Sequence, residues 1–238
     1  MKKLVVTVLC LSLIGLLAGC GGKKTSASTR ENTVSACLGS EPNTIDPALN
    51  SAVDAAIYLQ HTHVGLYKYE DTGIQVTPGI NFSKVVPGMA TGAPQKTVHS
   101  DGTVTLVYTL RSGLKWSDGS PLTAEDIVYS WRRLVDPETA ADYSYMIDMI
   151  ENANEIMEDE KDKSELGVRA VNPTTLEIKL TYDCPFFDEI MAFPATFPVK
   201  KSVIEKAGDQ WTFNPSTYVT NGPYRGGFCL FMAASCRS

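Results

Sequence analysis

The sequence predicts a mixed α/β fold, and three stretches carry that prediction. Val104, Leu106, Tyr108 and Leu110 alternate with Thr103, Thr105, Val107 and Thr109, the period-2 signature of a half-buried strand. Ile127, Val128, Trp131, Leu134 and Val135 then form one apolar stripe at helical spacing. Val168–Val171 and Leu176–Leu180 alternate on either side of Asn172-Pro173, which predicts a hairpin.

Taken in order, the chain opens with a segment that does not belong to the fold. Lys2 and Lys3 precede an apolar run, Leu4–Leu17, that is too short to span a bilayer and suits a signal-peptide core. Leu17-Ala18-Gly19-Cys20 follows and matches a bacterial lipobox, so residues 1–19 read as a lipoprotein signal peptide with lipidation at Cys20. Residues 20–32 are rich in Gly, Lys, Ser and Thr and read as a flexible tether. A lipid anchor of this kind holds a protein at the membrane without spanning it.

Val34, Ala36 and Leu38 suggest a first strand, turned by Gly39-Ser40-Glu41-Pro42. Ser51 and Asp54 are spaced for a capping box, with Val53, Ala56, Ile57 and Gln60 on one face of the helix that follows. Thr72-Gly73, Pro78-Gly79 and Asp101-Gly102 are turn dipeptides. After the strand at 103–110, Ser112-Gly113 and Ser117-Asp118-Gly119 turn the chain, and Thr123 with Asp126 forms a second capping box. Pro137 ends that helix. Tyr143, Met146, Ile147, Ile150, Ala153, Asn154 and Met157 predict a further helix, and the charge run 158–165 a solvated loop. Pro185 opens a short helix with Phe186, Phe187, Ile190 and Met191, residues 193–199 form a loop, and Ser202–Ala207 a helix stopped by Gly208.

Composition narrows the function. A chain of 238 residues with 43% hydrophobic and 20% charged residues suits one large globular domain or two modest ones. A net charge of −6 argues against a nucleic-acid partner, because phosphate binding needs a basic patch. Cys37, Cys184, Cys229 and Cys236 permit three pairings, and the sequence does not choose among them. His61 and His63 stand two apart, with only His99 elsewhere, which is thin support for a metal site. No cofactor is expected. Asp118 with Glu125 or Asp126 would be the carboxylates of a secreted hydrolase, but turn and capping duties account for all three.

The string TLRxGxKWSDGxPxTAEDxVYSWxRLxDPxTA, Thr109 to Ala140, resembles the extracytoplasmic solute-binding proteins of ABC importers, of the oligopeptide, dipeptide and nickel type (solute-binding protein family 5). Glu41-Pro42-Asn43-Thr44-Ile45-Asp46-Pro47, Gly65-Leu66-Tyr67, Pro87-Gly88-Met89-Ala90 and Asn221-Gly222-Pro223-Tyr224 resemble further words of that family. Val64 departs from it, standing where a glutamate is usual.

The resemblance implies a type II periplasmic-binding-protein-like lobe with an inserted α/β domain and the second lobe missing. Residues 33–75 would be the first segment of lobe I, 76–203 the inserted domain and 204–225 the return to lobe I. After Arg225 the likeness stops, and residues 226–238 read as an aberrant tail of a truncated product. The implied function is a lipid-anchored receptor, not an enzyme, that binds oligopeptides and delivers them to membrane permease subunits. A non-functional fragment of such a receptor is the alternative. Tyr143, Ser51 and Val53 match peptide-contacting positions of the family, though Tyr143 also suits packing, and Ser51 and Val53 an ordinary helix start. Lys115, Trp116, Asp118 and Asp126 are expected to serve turns and packing. An incomplete lobe would leave a sheet edge uncovered, which predicts poor solubility.

Overall fold

A computed structural model of the chain describes residue 39 and residues 41–225. The signal peptide, the tether, Cys20, the strand at 34–38, the tail, and Cys37, Cys229 and Cys236 lie outside the described residues. Helix α1 (Val53–Thr62) comes first. Strands β1 (Tyr67–Thr77) and β2 (Ile80–Pro87) form an antiparallel ribbon. Then come β3 (Gln95–Val98), β4 (Val104–Thr109) and helix α2 (Ala124–Val135). Helix α3 (Ala153–Met157), strands β5 (Val168–Asn172) and β6 (Thr175–Leu180), and helices α4 (Phe187–Ile190) and α5 (Lys201–Ala207) complete the order. Short 3-10 turns link several of these elements.

The four-stranded antiparallel sheet runs β3-β4-β6-β5. Alternation decides its inner face. Val104, Leu106 and Tyr108 of β4 are buried beside Leu176, Ile178 and Leu180 of β6, as period-2 side-chain placement requires. Helix α2 joins the same core through Ile127, Trp131, Leu134 and Val135. The Trp131 indole donates to the Thr196 carbonyl at 3.0 Å, so its one polar atom is satisfied where it is buried. The capping box opens this helix as expected: the Asp126 carboxylate accepts the Thr123 backbone N–H at 2.8 Å. The Asn172-Pro173 hairpin also forms, with the Asn172 side chain accepting from the Thr174 N–H at 2.9 Å.

Four expectations need correction. No capping box forms at Ser51. Ala52 is the N-cap of α1, and its N–H is taken by the Asn50 side chain at 3.0 Å. The buried face of α1 is Ala55, Leu59 and Thr62, whereas Val53 is 77% exposed and Gln60 is on the surface. Residues 143–157 are not one helix. A 3-10 turn over Ser144–Ile147 and helix α3 are separated by Asn152 in the left-handed region, φ 67°. Ile150 pairs with Leu180 in a β-bridge, and that lateral pairing overrides helical continuation. Ile147, Ile150 and Ala153 are nonetheless buried, so the apolar positions hold while the geometry differs.

Thr72-Gly73 is not a reversal but part of a register shift inside β1. Pro78-Gly79, with Gly79 at φ 80°, is where the ribbon turns back.

Segments far apart in sequence meet behind α1. Asp46 accepts from Ala48 N–H, from both ends of the Arg133 guanidinium and from the Trp211 indole. Trp211 stacks on Tyr218 at 5.4 Å, and both pack with Ile45 and Val199 in a second small core.

Candidate ligand-binding site

Ser51 and Val53 lie on the exposed entry to α1, where the Asn50 side chain sets the first turn. Tyr143 is half-buried and meets Phe193 edge to face, with ring centroids 5.1 Å apart. None of the three lines any of the three clefts described below.

Asp118 accepts the Ser120 N–H at 3.0 Å and pairs with Lys200, whose ammonium holds the Asp118 carboxyl down at about 2. Burial pushes the Asp126 carboxyl up, against the hydrogen bonds of Thr123. Trp116 is buried. These residues therefore do the turn and packing work expected of them. The exposed side of α2 opens a cleft of about 910 Å³ that includes Glu125 and Asp126 but not Asp118.

The other two clefts lie on either side of Val64, Lys68 and Asn221. Asn221 is clasped to Val64 from both ends of its amide, accepting the Val64 N–H at 3.0 Å and donating to the Val64 carbonyl at 2.8 Å. Gly222 follows, and its N–H donates to the Thr62 carbonyl at 2.8 Å. A Cβ on Gly222 would stand 2.6 Å from the His63 nitrogen, so only glycine admits this approach.

One cleft, of about 460 Å³, is lined by Gln60, His63, Tyr69, Phe197 and neighbouring residues. His63 is buried, with Nδ1 3.1 Å from the Thr62 hydroxyl and, among the described residues, no hydrogen-bond partner at Nε2. Burial lowers its pKa to about 3, against the opposing pull of Asp46, so the imidazole is neutral. The second cleft, of about 350 Å³, has Val64, Met89, Leu114 and Leu122 as its apolar surface and Lys68, Arg111 and Lys115 as its charges. Arg111 is held by the backbone, with Nε donating to Gly88 O at 2.8 Å and Nη2 to Pro87 O at 3.3 Å.

Sequence reasoning missed Lys68, Arg111, His63 and Asn221 as a group. Arg111 sat inside the scaffold word TLRxG, and Asn221 lies 157 positions from Val64. Among the described residues no group of three His, Cys, Asp or Glu is placed to hold a metal ion. His61 Nδ1 instead lies 2.7 Å from the Ile57 carbonyl, and His99 Nε2 lies 2.8 Å from the Thr105 hydroxyl.

The sequence profile of bacterial extracellular solute-binding proteins, family 5 Middle, matches residues 84–226, more than half of the chain. The chain belongs to this family. The family-5 chain is 40% identical over 149 residues to the periplasmic oligopeptide-binding protein OppA of Salmonella typhimurium, covering 62% of itself and 27% of that protein. It is 37% identical over 187 residues to the probable deoxycholate-binding periplasmic protein YgiS of Escherichia coli, covering 78% of itself and 32% of the relative. Among solved structures, Haemophilus influenzae OppA in complex with RPPGFSPFR superposes with a TM-score of 0.68 at 33% identity, over 79% of this chain and 34% of that one.

The family-5 chain therefore spans about a third of the length of the relatives it matches. Its fold is that of periplasmic binding proteins of this family, of which it covers part of a lobe region. No helix among the described residues is long and apolar enough to cross a membrane.

Proposed function

We propose that this family-5 chain is the substrate-binding component of an ABC importer, receiving peptides outside the cytoplasmic membrane and delivering them to permease subunits. The observation that carries the reading is 40% identity to an oligopeptide-binding protein, together with a fold shared with a relative solved in complex with a nine-residue peptide. The chain acts as a receptor and not as an enzyme, since its candidate carboxylates are engaged in a turn and a cap. Lipid on Cys20 tethers it at the outer face of the membrane.

Residues 33–75 and 204–225 belong to lobe I, and 76–203 to the inserted domain. The bonds Trp211 to Asp46, Tyr218 to Ile45 and Asn221 to Val64 support the return of the last segment to the first. Tyr143, Ser51 and Val53 contact ligand when the remaining wall of a binding cleft is present. The reading that this chain alone binds nothing draws on its matching only about a third of its relatives.

Equilibrium titration of the full chain with RPPGFSPFR separates the two. Saturable binding that weakens in Tyr143→Ala supports the receptor. A flat titration by a folded protein sinks it for this chain. Radiolabelled fatty acid should enter the wild-type protein in cells and not Cys20→Ser.

A further inference from the structure

Nine of the described lysines and arginines are in ion pairs. Those outside ion pairs are Lys68, Arg111, Lys115, Arg132, Lys206 and Arg225. The first three line one cleft, and no carboxylate lines it with them. A chain of net charge −6 thus gathers unpaired cations in one concave place. Concave surfaces lined by one sign of charge focus the field and concentrate the opposite ion.

We propose that this cleft is an anion subsite that takes the carboxylate of an acidic side chain on a bound peptide. This deepens the reading of the chain as a peptide receptor and rests on it. Three features fit a carboxylate borne on a short aliphatic stem. Arg111 is already oriented, because the carbonyls of Gly88 and Pro87 hold Nε and Nη2, respectively. A guanidinium fixed in this way loses little side-chain freedom on binding. Lys68 and Lys115 are exposed, hydrated point charges that can close on the second oxygen. Val64, Leu114 and Leu122 offer apolar contact to the methylene groups behind the carboxylate.

The site is also anchored to the segments that shape it. Lys68 is the second residue of β1, Arg111 follows β4, and Lys115 lies in a short extended piece bridged to Pro121. Asn221 spends its amide on Val64 and so holds the far wall rather than competing for the anion.

The test compares Ala-Ala-Glu with Ala-Ala-Gln, and adds glutarate as a free dicarboxylate, each titrated into the full chain at low and at high salt. The acidic peptide should bind about tenfold more tightly than its neutral isostere, and salt should erase the difference. Lys68→Gln with Lys115→Gln should bring both peptides to one affinity without moving the melting temperature, since both side chains are exposed. Equal binding of the two peptides by the wild type overturns the anion subsite while leaving the receptor reading standing. Glutarate binding without peptide binding overturns the receptor reading and keeps the anion site. No binding of any of the three, by a chain that melts cooperatively, overturns both.

Discussion

Arg133 grips Asp46 with both ends of its guanidinium, Nη1 to Oδ1 at 2.9 Å and Nη2 to Oδ2 at 2.7 Å, although the two residues are 87 positions apart. The carboxylate is almost wholly buried, at 3% side-chain exposure, and Arg133 keeps only 13%. Asp46 also receives the Trp211 indole at 2.9 Å, so the first segment, helix α2 and the return segment meet on one carboxylate. Such a fork is both a strong and a directional hydrogen-bond pair.

Breaking the pair from one side should be costly. Arg133→Met leaves a buried carboxylate short of two donors, a change that typically costs about 3–5 kcal/mol. We expect the urea midpoint to fall accordingly with an unchanged m-value, which reports lost stability rather than an altered unfolded state. A loss below about 1 kcal/mol would place the pair among solvated surface bridges instead.

His63 should make stability depend on pH. Burial lowers its folded pKa to about 3, from an ordinary 6.5. Between those values the unfolded chain binds the proton and the folded chain does not. Stability is therefore complete above the unfolded pKa and falls as the pH drops, by up to about 1.4 kcal/mol per pH unit. Asp118, held down at about 2, adds loss in the same direction, but only below its ordinary value of 3.8. From pH 6.5 to 4.5 the histidine lowers stability as the pH falls, while Asp126, its carboxyl pushed up by burial, works in the opposite direction. His63→Phe keeps a ring against Phe197 and Tyr218 and should flatten the slope of unfolding free energy across that window. An equally steep slope in the variant would assign it to other groups.

The β4–α2 unit was legible because its signals are local and agree with one another: a period of two, then a cap, then a stripe with a helical period. The hairpin of β5 and β6 was legible for the same reason, with Asn172 supplying the turn. Helix α1 shows where such reading stops. Its sequence VDAAIYLQHT carries two overlapping apolar stripes, and packing against the rest of the chain buries Ala55 and Leu59 rather than Val53 and Ile57. The break at Asn152 was equally hidden, since the pairing of Ile150 with Leu180 spans 30 positions of sequence. The cleft of Lys68, Arg111 and Lys115 needed the fold itself, because no spacing rule links the end of a buried glycine word to the residues after β4. Tyr143 and Ser51 entered through family resemblance, and their geometry places them on packing and at a helix entry.

The β1–β2 ribbon yields the last prediction. Gln75 pairs with Asn81 and Thr77 with Ile80, so Ile74 and Val76 of β1 lie at the ribbon tip beside Ile80 and Phe82 of β2. All four are more than half exposed, from 54% for Phe82 to 64% for Ile74. Contiguous exposed apolar side chains on a two-stranded ribbon favour association, because the side chains gain burial and the ribbon edges gain hydrogen bonds. The ribbon tip therefore gives the expected poor solubility a definite location. Phe82→Glu with Ile74→Lys should raise the concentration at which the protein stays monodisperse by light scattering. The melting temperature should move by no more than a few degrees, since neither side chain supports the core. If the substituted protein aggregates at the same concentration as the wild type, the sticky surface lies elsewhere, and the free edges of β3 and β5 become the segments to alter.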